Sequence, residues 1–165
     1  MSTDAAKAVV TVGGALLSHG DPTLEDAQKA GAAHAYPLLF VVPGGADSRT
    51  LSITRSIQIN AFDRQLSAEA VTAEDFLKES SKVFRKLRTA VQPTGPPIEV
   101  LLAGKHFWKL DLVTQLDSGI LHSSQFALVD NGYFLLFTFS SLDTTELDEL
   151  SRTMNFLHFT DSSQQ

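Results

Sequence analysis

The sequence contains no cysteine, and this absence excludes several kinds of chemistry at once. Disulfide bonds, thiolate metal ligands and cysteine nucleophiles all need the missing side chain. No continuous apolar run approaches the roughly 18 residues that a membrane-spanning helix requires. The first seven residues also lack the positive flank and the apolar core of a signal peptide. The chain itself therefore gives no indication of its compartment.

The sequence motifs of common active sites are also absent. There is no His-x-x-x-His, His-x-His or Glu-x-x-His spacing, which disfavours a zinc or non-haem iron site. Neither Gly-x-Ser-x-Gly nor a glycine-rich phosphate-binding pattern occurs, so no nucleophile elbow or phosphate loop is indicated. The sequence predicts no catalytic residue, no cofactor and no metal, and hence a protein that is not an enzyme.

Positive charge is in short supply. Acidic residues outnumber basic ones by 19 to 13, which gives a net charge of -6 and a pI of about 5.2. Nucleic acid or an anionic membrane surface would require clustered positive charge, so neither is favoured as a partner. The length of 165 residues fits one domain. We expect a single domain over residues 1–165, with disordered ends at 1–7 and 161–165.

Hydrophobic patterns and helix signals follow one another in the order helix, two strands, helix, three strands, helix. Pro22, preceded by Asp21 as the cap, predicts a helix over residues 22–35. Capping patterns predict two further helices, which begin at Thr72 and at Asp143. The apolar run 36–42 and the alternating stretch 50–62 predict strands. This order predicts the α+β class, in which an antiparallel-rich sheet is flanked by helices as an α/β/α sandwich.

Residues 98–139 are predicted to form a three-stranded antiparallel meander, with strands at about residues 98–116, 120–129 and 133–139. Asn131-Gly132 favours a two-residue type I′ turn, which would pair Phe126 with Phe137. Asp117-Ser118-Gly119 is interpreted as a three-residue loop, which would pair Leu110 with Phe126.

Together the two registers would place the large apolar side chains of the meander on one face of the sheet. These side chains belong to Trp108, Leu110, Leu112, Leu116, Ile120, Phe126, Leu128, Leu135, Phe137 and Phe139. The second face would be half polar and half apolar. Its polar members would be Lys109, Asp111, Gln115, Ser123, Gln125 and Thr138, and its apolar members Phe107, Val113, Leu121, Val129, Phe134 and Leu136. Such a mixed face is either partly covered by a helix or forms a cleft that binds a ligand.

The same register turns His122 toward the core near Thr114 and Ser124. A buried imidazole beside hydroxyl groups can bind a ligand or move a proton, although a structural histidine bonded to a neighbour is the commoner case. Arg55 falls on the apolar side of the strand predicted over 50–62, so it lies at a bulge, at the sheet rim or in an ion pair. His122, Thr114 and Arg55 are the candidate pocket residues.

The long helix that begins at Thr72 concentrates basic side chains. They are Lys78, Lys82, Arg85, Lys86 and Arg88. One interpretation is a docking stripe for an acidic partner that uses Lys78, Lys82 and Arg85. The other is a solvated helix face, on which nearby glutamates balance the charge.

Two stretches of the second half resemble a known group of proteins. Residues 104–111, Gly-Lys-His-Phe-Trp-Lys-Leu-Asp, resemble the strand that follows a glycine in many small bacterial proteins. Residues 131–139 and then 146–159 resemble their closing strand and helix. The order is similar to that of the PsbP-like and Ran-binding Mog-like superfamily over about residues 36–160. Residues 8–19 depart from it, since they lack the aromatic opening strand.

The resemblance implies an α+β sandwich that acts without catalysis, as an assembly or accessory protein. Many bacterial members are exported, so an exported mature form is compatible with it. We therefore expect a non-catalytic binding or accessory domain whose partner is a protein or a small apolar ligand. The alternative is a small-molecule carrier or sensor with a cleft between the mixed sheet face and a helix. A hydrolase that uses His122 and a serine is the third hypothesis.

Overall fold

The computed structural model describes residues 35–42, 55–66, 70–86 and 91–159. The predicted disordered ends lie outside these ranges. So does the helix predicted over 22–35, except for Ala35, which begins a strand.

The described residues form one antiparallel sheet with two α-helices packed against it, which confirms the α+β prediction. The strands are β1 (Ala35–Val41), β2 (Arg55–Asp63), β3 (Val91–Pro93), β4 (Ile98–Leu102), β5 (Lys105–Leu116), β6 (Gly119–Asp130) and β7 (Tyr133–Ser141). The helices are α1 (Ala73–Lys86) and α2 (Thr144–Arg152), with 3₁₀ turns at Arg64–Leu66 and Thr153–Phe156. The strands lie in the order β1-β2-β7-β6-β5, and both β3 and β4 pair with the outer edge of β5.

The hairpin between β6 and β7 has the predicted register. Asn131 and Gly132 have φ angles of 47° and 83°, as a type I′ turn requires. Phe126 lies opposite Phe137, so this part of the meander is confirmed.

The hairpin between β5 and β6 differs from the prediction by one residue. Only Asp117 and Ser118 form the loop, and Leu116 pairs with Gly119. Gly119 is the first residue of β6, and its φ of 135° is accessible to glycine but rarely to other residues. Leu110 therefore lies opposite Gln125 instead of Phe126. Since side chains alternate between faces, this slip places every side chain of β5 on the face opposite to the predicted one.

A further hairpin interrupts the strand predicted from residue 98 to residue 116. Ala103 and Gly104 have φ angles of 50° and 75°, and they form a two-residue turn between β4 and β5. The meander over residues 98–139 consequently has four strands instead of three.

Both helices begin with the predicted caps. Thr72 Oγ1 accepts a hydrogen bond from the Asp75 N–H, and Asp75 Oδ2 accepts one from the Thr72 N–H, each at 3.1 Å. Asp143 Oδ1 accepts hydrogen bonds from the N–H groups of Thr145 and Glu146. The Asp143 N–H donates a hydrogen bond to Ser141 Oγ. The capping-box pattern predicted the Glu146 side chain as the acceptor of this bond, so this part of the prediction is wrong.

The two helices cover opposite faces of the sheet. On the α1 face, Leu77 of the helix packs against Leu110, Ala127 and Leu136. On the α2 face, Leu147 and Met154 pack in a cluster with Phe107, Phe126, Phe137 and Phe139. Trp108 packs on the α1 face and Phe137 on the α2 face, so the prediction that both belong to one apolar face is wrong.

Candidate functional site

His122 lies on the α2 face of β6 and is half-buried. Its neighbours across the strands are Val113 of β5 and Ser141 of β7. Ser124 shares its face, whereas Thr114 is buried on the α1 face. The predicted proximity of His122 to Thr114 is therefore wrong, because it depended on the three-residue loop that the structure replaces with a two-residue turn.

Arg55 begins β2 opposite Ser141, on the same face as Ile57. Of the three arrangements that the sequence left open, the structure shows the ion pair: Arg55 Nη1 lies 2.7 Å from Glu146 Oε1. Glu146 comes from the first turn of α2. The pair thus connects the beginning of β2 to the beginning of the helix.

Ser141 lies opposite Arg55 on the neighbouring strand and is completely buried. Its Oγ donates a hydrogen bond to Glu146 Oε2 at 2.5 Å and accepts one from the Asp143 N–H at 3.1 Å. Hydrogen bonds from the backbone N–H groups of Glu146 and then Thr145 hold the pKa of Asp143 below its usual value. We call Arg55, Ser141, Asp143 and Glu146 the Ser141 network.

The Ser141 network joins three elements, and it engages both the donor and the acceptor capacity of the serine hydroxyl. A serine nucleophile has to be reachable by substrate and has to face a free base. Ser141 meets neither condition, because it is buried and its hydroxyl donates to the Glu146 carboxylate, which is also paired with Arg55. The geometry fits attachment of α2 to the sheet.

A second polar cluster on the α2 face contains two residues that the sequence prediction placed on the other face. Ser124 Oγ donates to Asp111 Oδ1 at 2.5 Å, and Lys109 Nζ lies 2.9 Å from Asp111 Oδ2. Lys109 and Asp111 were expected on the mixed second face with Gln125. The slip of β5 moved them to the α2 face and brought Asp111 opposite Ser124.

The basic side chains of α1 have acidic neighbours on the same helix. Lys78 Nζ lies 2.6 Å from Glu74, and Lys82 Nζ lies 2.5 Å from Glu79. Arg85 is exposed near the end of the helix. These ion pairs favour the interpretation of α1 as a solvated face, and docking through Lys78, Lys82 and Arg85 stays a prediction.

The α1 face carries a group of hydrogen-bonding side chains without any charge. We call it the uncharged patch, and it comprises Ser56, Gln58, Ser123, Gln125, Thr138 and Ser140. Three adjacent strands contribute two rows: Ser56, Ser140 and Ser123 lie side by side, and so do Gln58, Thr138 and Gln125. The hydroxyl groups of Ser123 and Ser140 bond to each other at 2.8 Å.

Gln125 is the exceptional member of the uncharged patch. Its Oε1 is shielded from solvent and has no hydrogen-bond partner among the residues that the structure describes. The sequence prediction correctly grouped Ser123, Gln125 and Thr138 on one face. It did not connect β2 to them, because nothing in the sequence indicated that β2 pairs with β7.

Two further observations concern the described part of the chain. No three of its histidine, aspartate and glutamate side chains form a group that could hold a metal ion. Neither of its α-helices is long and apolar enough to cross a membrane.

No protein-family model matches the sequence, and no curated protein matches it either. Among the solved structures similar to this one is that of PA94 from Pseudomonas aeruginosa, a protein of unknown function described as a candidate regulator. It has a TM-score of 0.49 and 13% sequence identity, and the match covers 78% of this chain and 83% of that chain. Another is the solution structure of cyanobacterial PsbP (CyanoP) from Synechocystis, with a TM-score of 0.44 and 14% identity over 74% of this chain and 77% of that one. A PsbP structure is thus among those that this chain is similar to.

Proposed function

We propose that this chain is a non-catalytic binding or accessory domain. The observation that supports this best is the state of Ser141, which is buried and bonded to Glu146 and Asp143. It is the serine that lies next to His122 across the strands, so it is the natural nucleophile for a hydrolase of this chain. Its hydrogen bonds and its burial favour a structural role over a catalytic one.

The partner surface that we favour is the α1 face of the sheet. The alternative surface, the basic stripe of α1, is weakened because Lys78 and Lys82 pair with glutamates of their own helix. Surface ion pairs of this kind contribute little stability, yet they lower the net positive charge that an acidic partner would meet. The net charge of -6 also weighs against nucleic acid as the partner.

Labelling with a fluorophosphonate probe tests the non-catalytic proposal. The native protein should leave Ser141 unmodified, while a known serine hydrolase in the same tube reacts. Labelling at Ser141 that disappears in the His122→Ala variant would overturn the proposal in favour of a hydrolase.

Ser141→Ala gives an independent test of the structural role. The substitution leaves the Asp143 N–H and Glu146 Oε2 without their hydroxyl partner, so we expect a loss of about 1–3 kcal/mol in the free energy of unfolding. Urea denaturation measures the loss. Ser118→Ala, in the exposed turn between β5 and β6, serves as the control and should change stability by no more than about 0.5 kcal/mol.

A small-molecule carrier or sensor is the second candidate, and the shielded Oε1 of Gln125 favours it. A buried acceptor without a partner is uncommon in native proteins and is frequently explained by a missing water, ion or ligand. Native mass spectrometry of gently purified protein tests this candidate. A stoichiometric bound molecule supports the carrier, and its repeated absence removes it.

A further inference from the structure

We infer that the uncharged patch binds an uncharged small molecule that donates an N–H or O–H hydrogen bond to Gln125 Oε1. The inference rests on the proposed carrier function and names the site and the chemistry of its ligand. It depends on three observations: the unpaired acceptor, the regular spacing of the patch, and the absence of charge within it.

The unpaired acceptor is the strongest of the three. An amide oxygen that loses its water on folding without gaining a hydrogen-bond donor destabilises the folded protein. Gln125 Oε1 is in this position among the described residues, while the neighbouring Ser123 and Ser140 hydroxyls satisfy each other. A ligand that donates to Oε1 removes this cost, so the site is predisposed to bind a donor.

The spacing of the patch suits a molecule with several polar groups. Gln58, Thr138 and Gln125 are directly opposite one another on adjacent strands, and such neighbours lie about 4.5–5.5 Å apart. All three are half-buried, so part of each side chain is exposed to solvent. A small ligand that extends across the strands would meet two amides and a hydroxyl in one row.

The lack of charge limits the ligand class. Serine, threonine and glutamine offer donors and acceptors but no counter-ion, and an unpaired charge is costly to place in a half-buried site. Phosphates, carboxylates and amines are therefore disfavoured. The row continues into Leu110, and Trp108 lies diagonally next to Gln125, so one edge of the ligand should be apolar.

A protein-observed NMR screen tests the inference with two matched sets of fragments. One set contains neutral polyols, amides and nucleosides, and the other contains phosphates, carboxylates and amines of similar size. Neutral fragments should shift the side-chain amide signals of Gln58 and Gln125. Shifts caused by polyols would identify an O–H donor in the ligand, and shifts caused by amides would identify an N–H donor. A screen in which charged fragments alone shift these signals, or in which no fragment does, would overturn the inference.

Two variants make the screen specific. Gln125→Met keeps the volume of the side chain and removes the acceptor, and it should weaken binding of the neutral hits by about tenfold. Gln115→Met is the matched control, because Gln115 is exposed on the α2 face, and binding should be unchanged. Equal affinity in the Gln125→Met variant would show that the ligand does not use Oε1.

Urea denaturation of the wild type and of Gln125→Met without ligand gives a test that does not depend on the choice of fragments. If Oε1 is unpaired, Gln125→Met should raise the urea midpoint of the empty protein, whereas a lower midpoint would mean that the amide has a partner and would overturn the inference. A co-purifying ligand that the Gln125→Met protein retains would also overturn this site, while it would leave the carrier function intact.

Discussion

Phe107 and Trp108 are neighbours in β5, and their side chains lie on opposite faces of the sheet. Phe107 is completely buried, and its ring meets the ring of Phe137 edge to face with the centroids 5.9 Å apart. Trp108 is half-buried and packs at the margin of the α1 cluster. A residue's size is thus a poor guide to its share of the core here, since the smaller of the two rings is the better buried.

We expect Phe107→Ala to lower the free energy of unfolding by about 3–5 kcal/mol, because it leaves a cavity in a closed aromatic cluster. Trp108→Ala should cost less, since part of its side chain is already in water. Urea denaturation ranks the two, with the exposed residue Lys82 as a control whose change to alanine should stay within about 0.5 kcal/mol. A larger loss for Trp108 than for Phe107 would indicate that β5 has the register with a three-residue loop.

The face on which a candidate residue lies could be predicted from the sequence only where a well-defined turn fixes the register of its strand. Ser123 and Thr138 were placed on a common face correctly, because Asn131-Gly132 fixes the register between their strands. His122 and Thr114 were brought together wrongly, because their relation depended on the less specific turn before β6. The unpaired Oε1 of Gln125 has no sequence signal at all, since satisfaction of a buried amide depends on neighbours from other strands.

At the scale of elements, tight turns determine how the strands of the meander pair. Gly132 has a φ of 83°, where a side chain is strained even though an added Cβ would have no neighbour within 4 Å. Gly132→Ala should therefore reduce stability by about 1–2 kcal/mol through backbone strain alone. Gly95→Ala is the matched control, with equally open surroundings and no positive φ, and it should be neutral or slightly stabilising. Equal losses at both positions in thermal denaturation would contradict this account.

The turns that were mispredicted have ambiguous chemistry. Ala103-Gly104 adopts positive φ at both residues, yet alanine has no side chain that stabilises the left-handed conformation in the way asparagine does. Asp117-Ser118-Gly119 fits either a two-residue or a three-residue loop, and the position of its glycine suits both. The capped helices were predictable because a cap needs only residues within one turn of each other.

The cap of α2 makes the stability of this element dependent on pH. The pKa of Asp143 is lowered from 3.8 by the hydrogen bonds that its carboxylate accepts from Glu146 and Thr145. A carboxyl group with a lower pKa in the folded state stabilises the protein above its unfolded pKa, and this contribution is lost as the pH falls through the folded value. Asp143→Asn keeps a side-chain acceptor but does not titrate.

The Asp143→Asn variant should accordingly lose less of its urea midpoint than the wild type between about pH 5 and about pH 2. Asp148→Asn removes one negative charge from the exposed surface of the same helix, so it controls for the change in net charge. Acid dependence that matches the wild type in Asp143→Asn would show that the charged cap does not contribute to it.

At the scale of the whole molecule, a sheet covered on both sides explains why the fold class was predicted correctly despite the slip. A one-residue shift normally moves the apolar residues of a strand into solvent, and this penalty is what makes register readable from sequence. In β5 both faces carry apolar side chains: Phe107 on the α2 face, and Leu110 and Leu112 on the α1 face. The hydrophobic pattern is consistent with either register, so it specifies a buried strand without specifying its partner residues.

The same architecture predicts that the two cores contribute to stability independently. Leu77 of α1 and Leu147 of α2 are buried on opposite faces with the sheet between them. Their changes to alanine should add to within about 0.5 kcal/mol in a double-mutant cycle, as is usual for distant sites without shared contacts. Phe126 and Phe139 provide the contrasting pair, because their rings meet edge to face at 5.8 Å on one face. Their changes to leucine should show a coupling of about 0.5–1.5 kcal/mol. Strong coupling between Leu77 and Leu147 would mean that the sheet transmits repacking from one face to the other, and a ligand bound on the α1 face would then affect α2 as well.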